Sequence, residues 1–291
     1  MIWRKTKIFL EMIKIEHTLF ALPFAFMGAL LGSVVKFHHL PHWSQIGWIL
    51  LAMIGARSAA MGLNRVIDKV FDAKNPRTSM RAIPAGLISS MEAIIFIIIS
   101  MVVLFWAAAN LSPICVKLLP IAVFLLVFYS YTKRFTWACH LYLGMTVALA
   151  PLGGWVAVTN EFSWTAFVFY VAIVFWLAGF DTIYATQDVD FDRKEGLHSI
   201  PARFGIPNAL RIARWFHLVT AAGFIGLFFL TNLSWVYLAG ILIAYALLMY
   251  EHFIVKPTDL TRLNTAFFTL NSTLSIVVFV FTLIDLVVFA G

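Results

Sequence analysis

An all-α integral membrane protein with nine transmembrane helices is the fold class this sequence predicts, on three observations. Apolar residues make up 62% of the 291 residues and charged residues only 12%, and the mean hydropathy is +0.91; a soluble domain is about a quarter charged. The apolar residues gather in long runs that suit membrane helices, not in the alternating segments of about ten residues that build a barrel. The basic residues fall almost wholly on one side of those runs. A soluble enzyme would lack polar surface with this composition, and 16% aromatic residues exclude a disordered chain.

The N-terminus is basic (Arg4, Lys5, Lys7). The run after it, Thr18–Val35, is too long for the apolar part of a secretion signal and lacks a clear small-residue cleavage site, so it reads as the first span. Ile46–Leu63 is the second and carries Arg57 inside it. Ala93–Ala109, Ile114–Tyr131, Leu141–Val158 and Trp164–Ala185 follow, then Phe216–Leu230, Trp235–Tyr250 and Ala266–Phe289. Several are short for a bilayer, so their ends should extend by a few residues. Pro23, Pro120 and Pro151 lie inside spans and predict kinks. Cys115 and Cys139 form no CxxC pattern and read as packed thiols. His38, His39 and His42 resemble a metal tract by composition only. Asn264, Asn271 and Ser272 read as interhelical hydrogen-bonding residues, and Asp285 as an interfacial one.

With nine spans, one side holds the N-terminus and the loops after spans two, four, six and eight. That side carries 18 of the 21 Lys and Arg, all except Lys36, Arg57 and Lys117. The positive-inside rule then makes the N-terminus cytoplasmic. Two loops on that side, residues 64–86 and 181–205, each mix carboxylates with Arg and Lys and contain a Pro and a late Gly. They lie four spans apart, which predicts two four-helix halves in one orientation plus a ninth helix, within a single domain over residues 1–291.

If the second span continues as a helix, Arg57, Asn64, Asp68 and Asp72 fall within an arc of roughly 80°. Asp181, Asp188 and Asp192 fall within about 40° on the sixth, with Tyr184 close by and Asp190 turned away. Two carboxylate stacks on one side of a membrane repel unless cations join them. Carboxylate and amide oxygens suit Mg²⁺, which binds through one or two carboxylates together with substrate phosphates. Lys69, Arg77, Arg81, Arg193, Lys194 and Arg203 supply positive charge for a phosphate. The pattern therefore points to a diphosphate site with two acidic Mg²⁺ clamps, in which the metals would make the diphosphate a good leaving group.

The stretch Asn64-x3-Asp68-x3-Asp72, continuing through Asn75-Pro76-Arg77-Thr78, Arg81 and Pro84-x-Gly86, resembles the first signature of the UbiA family of membrane prenyltransferases. Asp181-x2-Tyr184-Ala185-x2-Asp188-x3-Asp192, followed by Gly196 and Ser199, resembles the second. The resemblance covers nearly the whole chain and is strongest to the branch that prenylates 4-hydroxybenzoate. It implies a transferase that moves a polyprenyl chain from its diphosphate to an aromatic acid with Mg²⁺ as cofactor, in the bacterial inner membrane, with the active site facing the cytoplasm. It implies that Asn64, Asp68, Asp72, Asp188 and Asp192 hold the metal and diphosphate. Lys69, Arg77, Arg81, Arg193 and Lys194 would neutralise the diphosphate. Lys133 and Arg134 either join them or only set topology, and Tyr184 either bonds the diphosphate or packs. Arg57 either takes the acceptor's carboxylate or is tied to Asp181 or another buried acid; Asp181 otherwise plays a supporting part. The general base stays unassigned. Expected partners are a polyprenyl diphosphate, an aromatic carboxylic acid and membrane lipid, with no nucleic acid.

Two other readings compete. A naphthoate acceptor, as in menaquinone biosynthesis by the futalosine-type route among others, keeps the chemistry and also suits Arg57. An ion-coupled carrier would place its carboxylates near the membrane midplane at broken helices, whereas most here lie at span ends.

Overall fold

The fold is all-helical, and a computed structural model describes residues 2–12 and 18–288. Eight helical segments among these are long and apolar enough to cross a membrane, and a shorter apolar stretch, Ala21–Phe37, precedes them. No β-strand occurs among the described residues. The protein is an integral membrane protein.

The chain begins with a short helix α1 (Ile2–Met12), whose Met12 packs on Ile88 and Ala93. The helices α2 (Thr18–Phe37) and α3 (Trp43–Ile67) follow, then the six-residue α4 (Lys69–Lys74). The next spans are α5 (Ser90–Ala109) and α6 (Pro113–Thr132). The expected fifth span is two helices, α7 (Cys139–Val147) and α8 (Leu149–Thr159), broken at Ala148. Pro151 explains the break: it has no N–H for the carbonyl of Val147, so the ladder opens just before it. By contrast, α6 runs unbroken through Pro120. The long helix α9 (Trp164–Tyr184) tightens into a 3₁₀ turn (Ala185–Asp188) and continues as the six-residue α10 (Val189–Lys194). The remainder is α11 (Ile200–Phe204), α12 (Ile206–Leu230), α13 (Trp235–Ile254), a π-turn (Thr265–Leu270) and α14 (Asn271–Val288). Phe289, the expected end of the last span, lies outside the described residues.

Helix starts are written in the sequence as serines. Ser89, Ser112, Ser163 and Ser234 each accept a backbone N–H through their side chains at the N-termini of α5, α6, α9 and α13, satisfying donors that have no intrahelical partner. Several observed helices outrun the apolar runs, as a bilayer requires. The largest extension is α12, which starts at Ile206, ten residues before Phe216, behind Pro207 in its first turn.

The helices close on themselves, with α14 packed against both α13 and α2, α2 against α8, α3 against α5 and α6, and α9 between α7 and α12. Two glycines bring α2 and α8 into backbone contact. A Cβ added at Gly28 would lie 2.1 Å from the carbonyl oxygen of Pro151, and one at Gly154 would lie 2.1 Å from that of Ala25. Small residues at such crossings gain packing contact where lipid offers no hydrophobic drive between helices. The core beside this contact is aromatic, with Phe24 edge-on to Trp176 at 5.0 Å. The Trp176 Nε1–H donates to Asn271 Oδ1 at 2.9 Å, and Asn271 Nδ2 donates to Glu251 Oε1 at 3.0 Å, so Asn271 does bond between helices.

Asp285, three residues before the end of α14, is buried within the protein at 1% exposure. Its carboxylate accepts the backbone N–H groups of Ser234 (2.9 Å) and Tyr237 (2.8 Å) and the Ser234 hydroxyl (2.7 Å). The first turn of α13 presents unpaired N–H groups and the positive end of the helix dipole, which stabilises a carboxylate at this depth.

Candidate active site

The two acidic stretches meet at one end of the bundle, around a cavity of about 550 Å³. Helix α3 carries Arg57 and Asn64 on its cavity face. It ends at Ile67, where Asp68 leaves helical geometry, and α4 resumes with Asp72. On the other side, α9 carries Asp181 and Tyr184, the 3₁₀ turn carries Asp188, and α10 carries Asp192. The expectation of one continuous helix through each stack is therefore corrected: both helices break, at Asp68 and at Ala185–Asp188, yet each Asp still faces the cavity.

Each of four carboxylates is held by a cation from another part of the site. Asp188 takes a bidentate pair from Arg77, Nε to Oδ1 at 3.0 Å and Nη2 to Oδ2 at 2.7 Å. Asp72 Oδ1 accepts from Arg81 Nη1 at 2.6 Å. Asp68 Oδ1 accepts from Arg134 Nη2 at 3.3 Å. Both oxygens of Asp192 lie 3.0 Å from Lys133 Nζ, and Ser199 Oγ donates to Oδ2 at 2.9 Å. Thus the short loop after α6 reaches both signatures, Asp192 through Lys133 and Asp68 through Arg134. Asn64 Nδ2 donates to Asp68 Oδ2 at 2.7 Å, and Asn64 Oδ1 accepts from Arg65.

The local electrostatics follow. Burial raises the Asp68 pKa above the usual aspartate value, against the pull of the Arg134 bond. For Arg77, burial works to lower the pKa, but the bonded Asp188 outweighs it and the net shift is upward. Lys133 behaves likewise: burial is the largest single influence and lowers its pKa, but Asp192, Cys139 and Asp188 together outweigh it and the net shift is upward. Asp72 Oδ2 is buried and has no hydrogen-bond partner.

Of the residues singled out in the sequence, Arg57, Asn64, Asp68, Asp72, Arg77, Arg81, Lys133, Arg134, Asp181, Tyr184, Asp188 and Asp192 all line this cavity. Lys69, Arg193 and Lys194 are not among its lining residues. Lys69 Nζ donates to Ser90 Oγ at 3.4 Å, and Arg193 Nε to the Ala202 carbonyl at 2.9 Å. Tyr184 stacks on Phe267 with centroids 4.0 Å apart, and the Arg77 guanidinium lies 5.7 Å from its ring centre. It therefore packs beneath the Arg77–Asp188 pair. Arg57 and Asp181 are not partners; Asp181 Oδ2 instead lies 2.6 Å from His140 Nδ1.

Four residues of the site were given no role in the sequence analysis, and two of them, His140 and Tyr129, had no signal there. His140 lies 41 positions from Asp181. Asn75 donates to Asp188 Oδ1 at 3.3 Å, Thr78 donates to the Asp72 carbonyl, and Tyr129 lines the cavity wall. Asn75 and Thr78 lie within the quoted first signature, which singles them out only by resemblance.

No three His, Cys, Asp or Glu side chains among the described residues group closely enough to cage a metal unaided. Mg²⁺ takes one or two carboxylates at a time and completes its shell with phosphate oxygens and water. The unpartnered Asp72 Oδ2 and the all-oxygen acidic donor set fit that cation and not a thiolate- or imidazole-seeking one.

A family model described as the UbiA prenyltransferase family matches residues 22–273. The chain is 31% identical over 232 residues to a 4-hydroxybenzoate octaprenyltransferase of Vibrio atlanticus, covering 80% of this chain and 81% of that one. It is 28% identical to a 4-hydroxybenzoate octaprenyltransferase of Hydrogenovibrio crunogenus, covering 75% and 76%. Its fold matches the apo structure of a UbiA homolog from Aeropyrum pernix with a TM-score of 0.83 at 30% identity, covering 93% of this chain and 98% of that one. A UbiA homolog from Archaeoglobus fulgidus bound to GPP and Mg²⁺ shares the fold with a TM-score of 0.74 at 21% identity, covering 97% and 100%.

Proposed function

We propose that this chain, which belongs to the UbiA prenyltransferase family, transfers a polyprenyl chain from its diphosphate to the ring of 4-hydroxybenzoate, with residues 1–291 acting as one catalytic unit. The observation that carries this reading is the ring of four acid–base pairs, Asp68–Arg134, Asp72–Arg81, Asp188–Arg77 and Asp192–Lys133, at the end of one cavity whose other walls are mostly apolar. The 4-hydroxybenzoate octaprenyltransferase relatives support the acceptor, and the diphosphate- and Mg²⁺-bound structures of the fold support the donor and metal.

Asn64, Asp68, Asp72, Asp188 and Asp192 are the residues that would hold Mg²⁺, and when bound it takes up charge on the diphosphate oxygens and makes them a better leaving group. The carboxylates then have other counter-charges. Arg77, Arg81, Lys133 and Arg134 become free to turn onto phosphate oxygens, with Arg77 suited to bidentate contact. Tyr184, packed against Arg77, limits how far that guanidinium can swing. Arg57 is the cation for the acceptor's carboxylate: it lies ten residues before the end of α3, roughly 15 Å along the axis, and its buried Nε has no partner. The apolar walls keep water from the allylic carbon as its C–O bond breaks, and the ring attacks that carbon ortho to the hydroxyl. The excess of Lys and Arg on one side supports an orientation with this end in the cytoplasm, in a bacterial inner membrane.

The test is an acceptor panel in purified membranes with a labelled polyprenyl diphosphate, Mg²⁺ and either 4-hydroxybenzoate or a dihydroxynaphthoate, with and without EDTA. EDTA-sensitive product from 4-hydroxybenzoate is the expected result. Product from the naphthoate alone would move the acceptor to the menaquinone route. No EDTA-sensitive product from either acceptor, in folded protein, would overturn the reading and reopen that of a carrier.

A further inference from the structure

We infer that His140, oriented by Asp181, is the base that takes the acceptor's phenolic proton. This rests on the aromatic-acid reading above and adds a residue to it.

His140 is the second residue of α7 and is buried, at 1% exposure. Its Nδ1 lies 2.6 Å from Asp181 Oδ2, and its Nε2 is buried with no hydrogen-bond partner, while the residue lines the cavity. A carboxylate on Nδ1 fixes the tautomer that carries its proton there. It orients the ring and stabilises the imidazolium that forms when Nε2 is protonated. Leaving a buried ring nitrogen unpaired is costly, so an incoming hydroxyl would satisfy it. The mouth carboxylates are poorer bases for this step, since each already holds a cation.

Depth supports the assignment. Asp181 lies three residues before the end of α9, so the dyad sits about one helical turn inside the charged rim. Arg57 lies deeper, ten residues before the end of α3. An acceptor anchored by its carboxylate on Arg57 therefore points its opposite, phenolic end toward His140 and the rim, where the allylic carbon parts from the diphosphate. Other titratable groups that line the cavity include Tyr129 on α6, Arg57 and Arg65 on α3, Asp68 after it, Tyr184 on α9 and Cys139 beside His140.

The step balances. The phenol O–H gives its proton to Nε2, and the oxygen keeps the electron pair. The phenolate's ortho carbon bonds to the allylic carbon as the C–O bond to diphosphate breaks, its pair leaving on the diphosphate. The resulting dienone loses its ring C–H proton to a diphosphate oxygen, that C–H pair restores aromaticity, and Nε2 returns its proton to the phenolic oxygen. One aryl C–H and one allylic diphosphate become one aryl–carbon bond and one protonated diphosphate.

The test uses the full chain with Mg²⁺, a labelled polyprenyl diphosphate and 4-hydroxybenzoate. His140→Gln keeps an amide near the Nε2 position but cannot take a proton; Asp181→Asn keeps the shape but loses the orienting charge. Both are expected to lose at least about a hundredfold in kcat, the usual range for a lost general base. Metal-dependent binding of a non-hydrolysable prenyl thiolodiphosphate should be unchanged, which shows the fold and clamps intact. Ring-fluorinated 4-hydroxybenzoates, whose phenols ionise more readily, should recover part of the His140→Gln loss, and the acid limb of the kcat–pH profile should flatten. The inference is overturned if His140→Gln keeps kcat within about threefold and raises only the acceptor KM. It is equally overturned if fluorinated acceptors fall in parallel with the parent acid. Failure of the wild-type protein to prenylate any aromatic acid is a different result and sinks the acceptor reading itself.

Discussion

Arg77 grips Asp188 through two parallel hydrogen bonds, 3.0 Å and 2.7 Å long, across 111 positions of sequence. This pair joins the first acidic stretch to the second and holds the two edges of the cavity together. Arg77→Lys keeps the charge but cannot form the fork. It is expected to lower kcat/KM for the prenyl diphosphate by about a hundredfold, with a smaller change in the acceptor KM. Steady-state kinetics with each substrate varied in turn checks this.

Asp188 and Asp190 are two residues apart and face opposite environments. Asp188 is buried against Arg77 and lines the cavity, whereas Asp190 is exposed and does not. Asp188→Asn should raise the Mg²⁺ concentration needed for half-maximal turnover at least about tenfold and lower kcat. Asp190→Asn should leave both within about twofold, as surface substitutions usually do. Mg²⁺ titrations of product formation on the two variants decide the matter.

The same rotation explains how much of this site was legible in the sequence. The spans were legible because the bilayer imposes a single length and composition, and the Asp stacks were legible because one turn of helix repeats about every four residues. Counting cations by nearness to those Asp residues was less reliable. Lys69 follows Asp68 by one position, and Arg193 and Lys194 follow Asp192 by one and two, so helical geometry turns them roughly 100° to 200° from the cavity-facing Asp. Lys133 and Arg134 come from a distant loop and reach it fully. The His140–Asp181 contact carries no local pattern at all, since tertiary packing alone joins α7 to α9. The split between α7 and α8 was visible as Pro151 but read as a kink, because nothing in the sequence says how far a freed carbonyl will open the ladder.

Lys133 gives a pH dependence with a definite sign. Burial alone would lower its pKa, but Asp192, with Cys139 and Asp188, outweighs burial and the net shift is upward. A raised pKa means the pair's contribution is fully present below the unfolded lysine value and is lost as pH rises through the folded one. Lys133→Met leaves Asp192 buried with only Ser199 as donor, a cost of about 2 kcal/mol. The stability gap between wild type and variant should hold from about pH 6 to about pH 9 and close only above the ordinary lysine range. Thermal unfolding in detergent across that range tests it, and a gap that shrank on acidification from neutral pH would contradict the assignment.

Asp285 lies far along the chain from the acidic stretches and should affect stability without chemistry. Asp285→Ala strands the N–H groups of Ser234 and Tyr237 at the start of α13, and a lost cap typically costs about 1 to 2 kcal/mol. The melting temperature should fall by several degrees, while kcat per folded molecule stays within about twofold of wild type.

Arg57 separates acceptor binding from donor binding. It sits inside the span, in a wall that is otherwise largely apolar, with Nε buried and unpartnered, and an intramembrane cation of this kind is retained for a ligand or a partner. Asp181, the partner named for it in the sequence, is occupied by His140. Arg57→Met keeps the length and apolar stem but removes the charge. It is expected to raise the KM for 4-hydroxybenzoate about thirtyfold or more, the cost of a charge-assisted hydrogen bond being about 2 kcal/mol, and to leave the KM for the prenyl diphosphate within about twofold. The sharper readout is an acceptor comparison. The wild-type protein should prefer 4-hydroxybenzoate strongly over its methyl ester, because only the acid offers a carboxylate to the guanidinium. Arg57→Met should treat the two alike. A variant that kept the wild-type preference for the acid would place the carboxylate elsewhere in the cavity.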